Sequence, residues 1–197
     1  MPQPNRMESR EPVINMVGNG VCLGPLDRKL LPLYNLWNND LQTTRTLASM
    51  RPVILEEEIL AFDQIMNAKE YLFFTIYEKE TLTPIGNTYL SDIDFKNRKA
   101  EFNIVIGDHS VRGKGYGTEV TKLVLDYSFQ ILGLHNIFLR VLEYNKGAIH
   151  AYEKAGFKEC GRRRQAHFLG GKYWDTIFMD CLSTEFESVL IKDELGL

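Results

Sequence analysis

The sequence lacks the features that mark secreted, membrane-spanning and metal-bound proteins. It contains three cysteines, Cys22, Cys160 and Cys181, an odd number at distant positions, which argues against a disulfide framework and against a CxxC metal site. No stretch approaches the roughly 18 apolar residues of a membrane span, and the N-terminal segment holds no apolar run long enough for a secretory signal. We therefore expect a cytoplasmic protein with no membrane segment.

Basic charge is not in excess either, because the net charge of the chain is -3. This balance leaves no broad electrostatic footprint for DNA or RNA, and we predict no nucleic-acid partner. The four histidines lack the close ligand spacing of zinc sites, which predicts no metal site. The pattern gives no indication of the oligomeric state.

The length and composition fit one folded domain. With 44% apolar and 25% charged residues the chain has the composition of a globular protein, and 197 residues are enough for one full core. We predict a flexible lead-in over residues 1–12, a single domain over residues 13–183 and a C-terminal tail over residues 184–197.

The spacing of apolar residues predicts a mixed α/β fold of the α+β type. Leu30, Leu33 and Trp37 recur at helical spacing after Asp27, which we predict as an N-cap. A second helical pattern is "LEEEILAFDQIMNAKE", and aromatic and β-branched runs broken by "ETLTP" and "DFKNRK" then predict three consecutive antiparallel strands. A glycine segment follows, and after it come helix "TEVTKLVLDYSFQIL", strand "NIFLRVL", helix "KGAIHAYEKAGF" and strand "WDTIFMDCL".

The glycine segment "VRGKGYGT", residues 111–118, lies between a predicted strand and a predicted helix. Bare backbone N–H groups at such a helix N-terminus bind anions, phosphate above all. The segment departs from the P-loop motif, because five residues separate Gly107 from Gly113 and Gly115 stands where the Mg²⁺-binding hydroxyl should be. A dinucleotide-binding loop is excluded because an antiparallel meander, not a parallel βαβ unit, precedes the glycines.

The segment resembles the pyrophosphate loop of the GNAT acyltransferase superfamily, Q/R-x-x-G-x-G/A, which Arg112 to Gly117 match without a gap. Asn145, Tyr152 and the pair Gly156–Phe157 follow at the family's spacing. The closing pattern "GRRRQAHFLGGKYWDTIFM" resembles the subgroup of spermidine N-acetyltransferases and ribosomal-protein N-terminal acetyltransferases. This resemblance implies a mostly antiparallel central sheet of about seven strands flanked by helices, with strands four and five splayed.

The resemblance also implies acetyl-CoA as the acyl donor and a set of residues that hold it. The pantetheine arm would lie between the splayed strands and pair with backbone groups, and Asn145 would bond its amides, although a turn-forming Asn before a helix is the alternative. The residues implied to bind the cofactor are Ile104, Val105, Ile106, Arg112, Gly113, Lys114, Gly115, Tyr116, Gly117, Thr118, Asn145 and Tyr152.

Two residues carry the chemistry that the resemblance implies. Tyr152 would protonate the coenzyme A thiolate as a general acid after direct attack by an amine, and the alternative is an aromatic residue of the core. Glu101 would remove a proton from the amine through water, and an ion pair with a neighbouring cation is an equally good interpretation.

The acceptor is left open by the sequence. A polyamine, a protein N-terminus, an amino sugar and an aminoglycoside-like antibiotic all remain candidates. The acidic run at 56–58 could hold a polyamine, but a solvated helix start is the favoured interpretation. Two further hypotheses are a non-catalytic acyl-CoA-binding or regulatory module and, from the glycines and lysine alone, nucleotide phosphate transfer.

Overall fold

The computed structural model describes residues 11–47, 50–188, 190–191 and 196, which form one sheet with helices on both faces. The strands are β1 (Met16–Val17), β2 (Val21–Gly24), β3 (Leu72–Glu78), β4 (Pro84–Asp94), β5 (Lys99–Ile106), β6 (Asn136–Leu142), β7 (Lys158–Leu169) and β8 (Lys172–Leu182). The α-helices are α1 (Leu31–Asn39), α2 (Leu41–Thr44), α3 (Leu55–Ile65), α4 (Tyr116–Gln130) and α5 (Lys146–Ala155).

The sheet has the order β1-β2-β3-β4-β5-β6-β8-β7 within the described residues. All neighbours are antiparallel except β5 and β6, so the predicted mixed, mostly antiparallel sheet is confirmed, with eight strands in place of about seven. The parallel pairing of β5 with β6 ends at Glu101 and Phe138. Beyond that point the two strands separate, and they are the pair that was predicted as strands four and five.

One face of the sheet forms the main hydrophobic core with α4 and α5. Alternation along β5 buries Ala100 and Phe102 on this face. From α4, Val120 and Val124 reach the same cluster and are fully buried. The predicted amphipathic helix after the glycine segment therefore covers the sheet.

Helices α1 and α3 pack against the other face of the sheet around a second, smaller cluster. Tyr34, Trp37 and Phe62 are buried in it, and the Tyr34 hydroxyl lies 2.6 Å from Oγ1 of Thr75 on β3. Asp27 caps the 3₁₀ turn directly before α1 by accepting a hydrogen bond from the backbone of Lys29, 2.9 Å away. Asp27 is therefore an N-cap, and it caps the 3₁₀ turn that leads into α1.

The chain ends are described only in part. The predicted lead-in lies outside the described residues up to position 10. In the predicted tail, Phe186 packs against Phe129 of α4 with ring centroids 5.4 Å apart, and the N–H groups of Leu190 and Ile191 donate to the buried carboxylate of Asp126. Among the described residues no helix is long and apolar enough to span a bilayer.

Candidate active site

A cavity of about 1250 Å³ lies between α1, α3 and the sheet and includes the gap between β5 and β6. Its wall contains these predicted site residues: Glu101, Ile104, Val105, Ile106, Arg112, Gly113, Gly115, Tyr116, Gly117, Thr118, Asn145 and Tyr152. Lys114 is the one predicted site residue outside this wall. Residues far apart in the sequence thus line one space.

The glycine segment shapes one end of the cavity as an anion cradle. Gly113 and Gly115 adopt left-handed backbone conformations, with φ of 81° and 88°, which glycine adopts without strain. No side chain caps the start of α4, so its first backbone N–H groups face outward without a side-chain acceptor. Gly117 has no such conformation, and a Cβ there would meet nothing within 4 Å. The open space beside these N–H groups fits a pyrophosphate at a helix N-terminus.

The two cations of the segment are bonded within the protein. The guanidinium of Arg112 donates to the carbonyl of Ile106 at 2.9 Å and to Oγ1 of Thr43 at 3.1 Å, and burial lowers its pKa. Lys114 lies 3.5 Å from Oε1 of Glu78. The backbone of the segment, more than these two charged side chains, is therefore presented to the cavity.

Two further residues of the segment also bond to neighbouring elements. The Tyr116 hydroxyl donates to Glu78 at 3.0 Å, and this hydrogen bond raises the pKa of Tyr116. Thr118 donates from Oγ1 to the carbonyl of Ala151 on α5 at 3.4 Å. These contacts fix the first turn of α4 between the end of β3 and α5.

Beyond Glu101, the edge of β5 that faces the gap pairs with no other strand among the described residues. The N–H of Gly107 donates to the carbonyl of Ile85 on β4 at 2.9 Å. Because backbone groups alternate along a strand, those of Ile104 and Ile106 point away from β4 and into the gap, whereas those of Val105 point toward β4. A linear chain in the gap would meet Ile104 first, since Arg112 already holds the carbonyl of Ile106.

Asn145 has the structural role that was the alternative interpretation. It precedes α5, and its Oδ1 accepts a hydrogen bond from the N–H of Ala148 at 3.3 Å as an N-cap. Its Nδ2 has no hydrogen-bond partner among the described residues and belongs to the cavity wall. The capping side chain thus lines the cavity while its oxygen is engaged with α5.

Tyr152 lies on α5 at the point where β5 and β6 separate. Its ring packs edge-on against Phe102, the first residue after the last β5–β6 pair, with centroids 6.2 Å apart. Phe157 packs against its other side at 6.0 Å. Within the described chain its hydroxyl makes no hydrogen bond, and burial raises the pKa of the phenol. The side chain therefore combines the aromatic packing expected of a core residue with a neutral O–H group in the cavity wall.

Glu101 is buried and forms an ion pair with Arg140 on β6. The two guanidinium nitrogens Nε and Nη2 donate to its carboxylate oxygens at 2.6 and 3.0 Å. This bond to Glu101 raises the pKa of Arg140. The structure thus shows the ion pair that was one of the two sequence-based interpretations of Glu101, and both side chains line the cavity.

One part of the cavity wall is acidic and aromatic, and it was not predicted from the sequence. Of the acidic run, Glu58 alone lines the cavity, and Nδ2 of Asn38 donates to its two oxygens at 3.1 and 3.0 Å. Tyr71, Phe73 and Tyr89 form a continuous aromatic strip there, with centroid distances of 5.9 and 4.6 Å. The one signal in the sequence is the period of two between positions 71 and 73, which places both rings on the same side of the chain at the start of β3.

Within the described part of the chain, no three His, Cys, Asp or Glu side chains converge as a metal site would require. The arrangement is instead that of an acyltransferase that binds coenzyme A: a phosphate cradle at a helix start, a gap between two diverging strands and a tyrosine at the end of that gap. The family described as Acetyltransferase (GNAT) domain matches residues 21–158, and the chain belongs to it. It is therefore an acetyl-CoA-dependent N-acetyltransferase, and neither phosphate transfer nor a non-catalytic module is supported.

Individual relatives agree with this assignment. Spermidine N(1)-acetyltransferase of Escherichia coli K12 is 38% identical over 166 residues, which are 82% of this chain and 85% of the relative. The protein of the same name from Vibrio cholerae serotype O1 is 39% identical over 102 residues, 52% of this chain and 58% of the relative. A crystal structure of the Vibrio cholerae spermidine N-acetyltransferase with CoA and spermine superposes with a TM-score of 0.79 at 29% identity, covering 84% of this chain and 97% of the other.

Proposed function

We propose that this enzyme acetylates a primary amine of a polyamine, with spermidine as the first candidate. Relatives named as spermidine acetyltransferases align with most of the chain. A polyamine carries several positive charges at neutral pH, by analogy with lysine. Carboxylates and aromatic faces are the groups that attract such a cation. The cavity wall offers both.

The observation that carries the proposal is one continuous wall that joins the anion cradle, Tyr152 and Glu58. The hydrogen bonds to Glu58 come from the neutral amide of Asn38, which fixes the carboxylate without cancelling its charge. A second ammonium group of the acceptor can bind there while the first amine reaches the thioester. Glu56 on the same helix is exposed and does not line the cavity, so the acidic run divides into two kinds of residue.

The proposed reaction is direct attack, with Tyr152 as the acid. The neutral amine nitrogen forms a bond to the acetyl carbon, the carbon–sulfur bond breaks, and the phenol gives its proton to the departing sulfur. The nitrogen gives up one proton through water, for which Glu101 is the candidate acceptor, and the phenolate regains one proton from solvent. In this role the raised pKa of Tyr152 keeps the proton on the oxygen until sulfur accepts it.

Glu101 is the candidate for accepting the proton of the amine through water. Its position in the cavity wall beside β6 supports the role. Its bidentate pair with Arg140 opposes it, because both carboxylate oxygens already accept hydrogen bonds from the guanidinium. We propose that Glu101 acts as a base through solvent, and the ion pair with Arg140 is the competing structural role.

A panel of amines tests the acceptor. Thiol release from acetyl-CoA and mass spectrometry of the products would be measured with spermidine, spermine, an N-terminal peptide, glucosamine and an aminoglycoside. We expect a mass gain of one acetyl group on spermidine and the highest kcat/KM for a polyamine. Efficient acetylation of the peptide or the sugars with none of the polyamines would refute the acceptor assignment and leave the family assignment intact.

A further inference from the structure

A short segment crosses the open end of the gap between β5 and β6. Residues 40–47, here called the strap, contain α2 and the turn after it. Thr43 and Thr44 of the strap are only 2% and 5% exposed, although both are polar. They line the cavity together with Arg45, Thr46 and Leu47. Buried hydroxyl groups require partners, so the strap is held by specific bonds.

The first anchor of the strap is Asp40. Its carboxylate accepts from the N–H and the hydroxyl of Thr43 at 3.1 and 2.8 Å. Nε2 of His109 lies 2.5 Å from the same carboxylate and must donate, because an ionised carboxylate only accepts. The bond from Thr43 and those from His109 and Gln42 lower the pKa of Asp40 to about 2. Asp40 therefore joins the strap to the turn that follows β5.

The second anchor is Arg112. Its guanidinium bonds Oγ1 of Thr43 on the strap and, through the same nitrogen, the carbonyl of Ile106 on the gap-facing edge of β5. Beside it, the Trp37 ring of α1 lies so close to Gly107 that a Cβ on this glycine would come within 2.2 Å of the ring. The end of β5 is thus fixed to α1 and to the strap together.

The third anchor lies on the β6 side of the gap. The hydroxyl of Tyr144, in the turn after β6, donates to the carbonyl of Arg45 on the strap. The Tyr144 ring packs against Trp174 of β8 at 5.0 Å, which holds the hydroxyl in place. The strap therefore connects the ends of the two strands that separate around the gap.

We propose that the strap sets the width of the coenzyme A gap, and that Arg112, Thr43 and Tyr144 are positioning residues for the pantetheine arm. Arg112 then acts through Thr43 and Ile106, not as a direct ligand of the pyrophosphate. The inference requires only that the protein binds coenzyme A, which the family establishes. It does not depend on the acceptor.

A double-mutant cycle on coenzyme A binding tests this proposal. Calorimetry would give the Kd of coenzyme A for the wild type, Arg112→Ala, Thr43→Val and the double variant. Hydrogen bonds to a charged group predict a Kd about tenfold higher for either single variant. If the two residues act as one brace, the double variant should lie within about twofold of the singles. Effects that multiply to roughly 100-fold would show that Arg112 acts independently and would overturn the proposal.

Three further variants make the outcome specific. Thr43→Ser keeps the hydroxyl and should restore binding to within about twofold of the wild type. Tyr144→Phe removes one hydroxyl remote from the phosphate cradle and should raise the Kd about threefold; an unchanged Kd contradicts the strap as a spacer. Arg164→Ala is the matched control, because Arg164 is exposed on β7 outside the cavity wall.

Pantetheine, which lacks the pyrophosphate, separates the two possible roles of Arg112. The Arg112→Ala variant should bind pantetheine more weakly by the same factor as it binds coenzyme A. A loss of affinity confined to coenzyme A would show that Arg112 contacts the pyrophosphate directly.

Discussion

Replacing Tyr152 by phenylalanine removes one oxygen from a ring that keeps its packing. Phe102 and Phe157 contact the ring itself, at centroid distances of 6.2 and 6.0 Å. The hydroxyl makes no hydrogen bond to a described residue, so its loss leaves no buried group of those residues unpaired. The free energy of unfolding should therefore change by less than about 1 kcal/mol.

The effect on the rate should be much larger. General acids contribute roughly 10² to 10⁴ to the rate, and a 100-fold loss corresponds to about 2.7 kcal/mol of transition-state stabilisation. Because the phenol acts on sulfur as it leaves, the loss should appear in kcat, while the Kd of coenzyme A stays within about twofold. Thiol release with spermidine measures kcat, calorimetry measures the Kd, and thermal unfolding measures stability.

Tyr173→Phe is the control, since this tyrosine is 64% exposed and does not line the cavity. It should behave as the wild type in all three measurements. A loss of no more than about twofold in kcat for Tyr152→Phe, far below the range of general acids, would refute the acid role. A large loss accompanied by a drop in the unfolding temperature would show instead that the hydroxyl is structural.

Four other measurements test the site. Glu58→Gln should raise the KM for spermidine about fivefold, as expected for a lost ion pair in water, while Glu56→Gln should leave it unchanged; equal effects would contradict the assignment of Glu58. Gly117→Ala should raise the free energy of unfolding by up to about 1 kcal/mol, because alanine favours a helix. The same variant should raise the Kd of coenzyme A at least tenfold, about 1.4 kcal/mol by calorimetry, since the new Cβ enters the cradle. Because the pKa of Tyr152 is raised, the phenol keeps its proton to higher pH than an ordinary tyrosine. The value of kcat/KM should therefore rise between about pH 6 and 9.5 as the amine deprotonates. A fall of kcat/KM in this range would refute Tyr152 as the general acid. Glu101→Gln should lower kcat at least tenfold if the carboxylate is a base, whereas reduced stability with kcat retained would leave only the ion pair.

The fold could be predicted, and residues of the donor site could be proposed, because their signals are local. Alternation along β5 and the helical spacing of α4 follow from the backbone period of each element. The cradle needs glycines at fixed positions before a helix. Asn145 lies in the turn before α5 and Tyr152 lies on α5, and the spacing between them matches the family pattern. Such features depend on neighbours within about ten residues.

The proposed acceptor face could not be predicted because its parts come from distant elements without fixed spacing. Glu58 belongs to an acidic run whose sequence favours a solvated helix start. Only the position of α3 over the sheet shows that Glu58 lines the cavity. Arg112 is predicted to bind the cofactor, and in the structure its guanidinium bonds Thr43, 69 residues earlier in the chain. A side-chain direction that depends on so remote a partner leaves no mark in the local sequence.

In the proposed site, the alternation of a single strand, β5, separates the two substrates. Along β5, Phe102 packs toward the core, where it meets Tyr152. Glu101 pairs with Arg140 just where the strands separate, and Arg112 holds the carbonyl of Ile106 at the opposite end of the gap. The free edge between these contacts is about 17 Å long at the rise of a strand. If the proposed donor site is correct, a gap with both ends fixed holds the thioester at one depth for every acceptor. We then expect selection of the amine to come from the groups under α1 and α3.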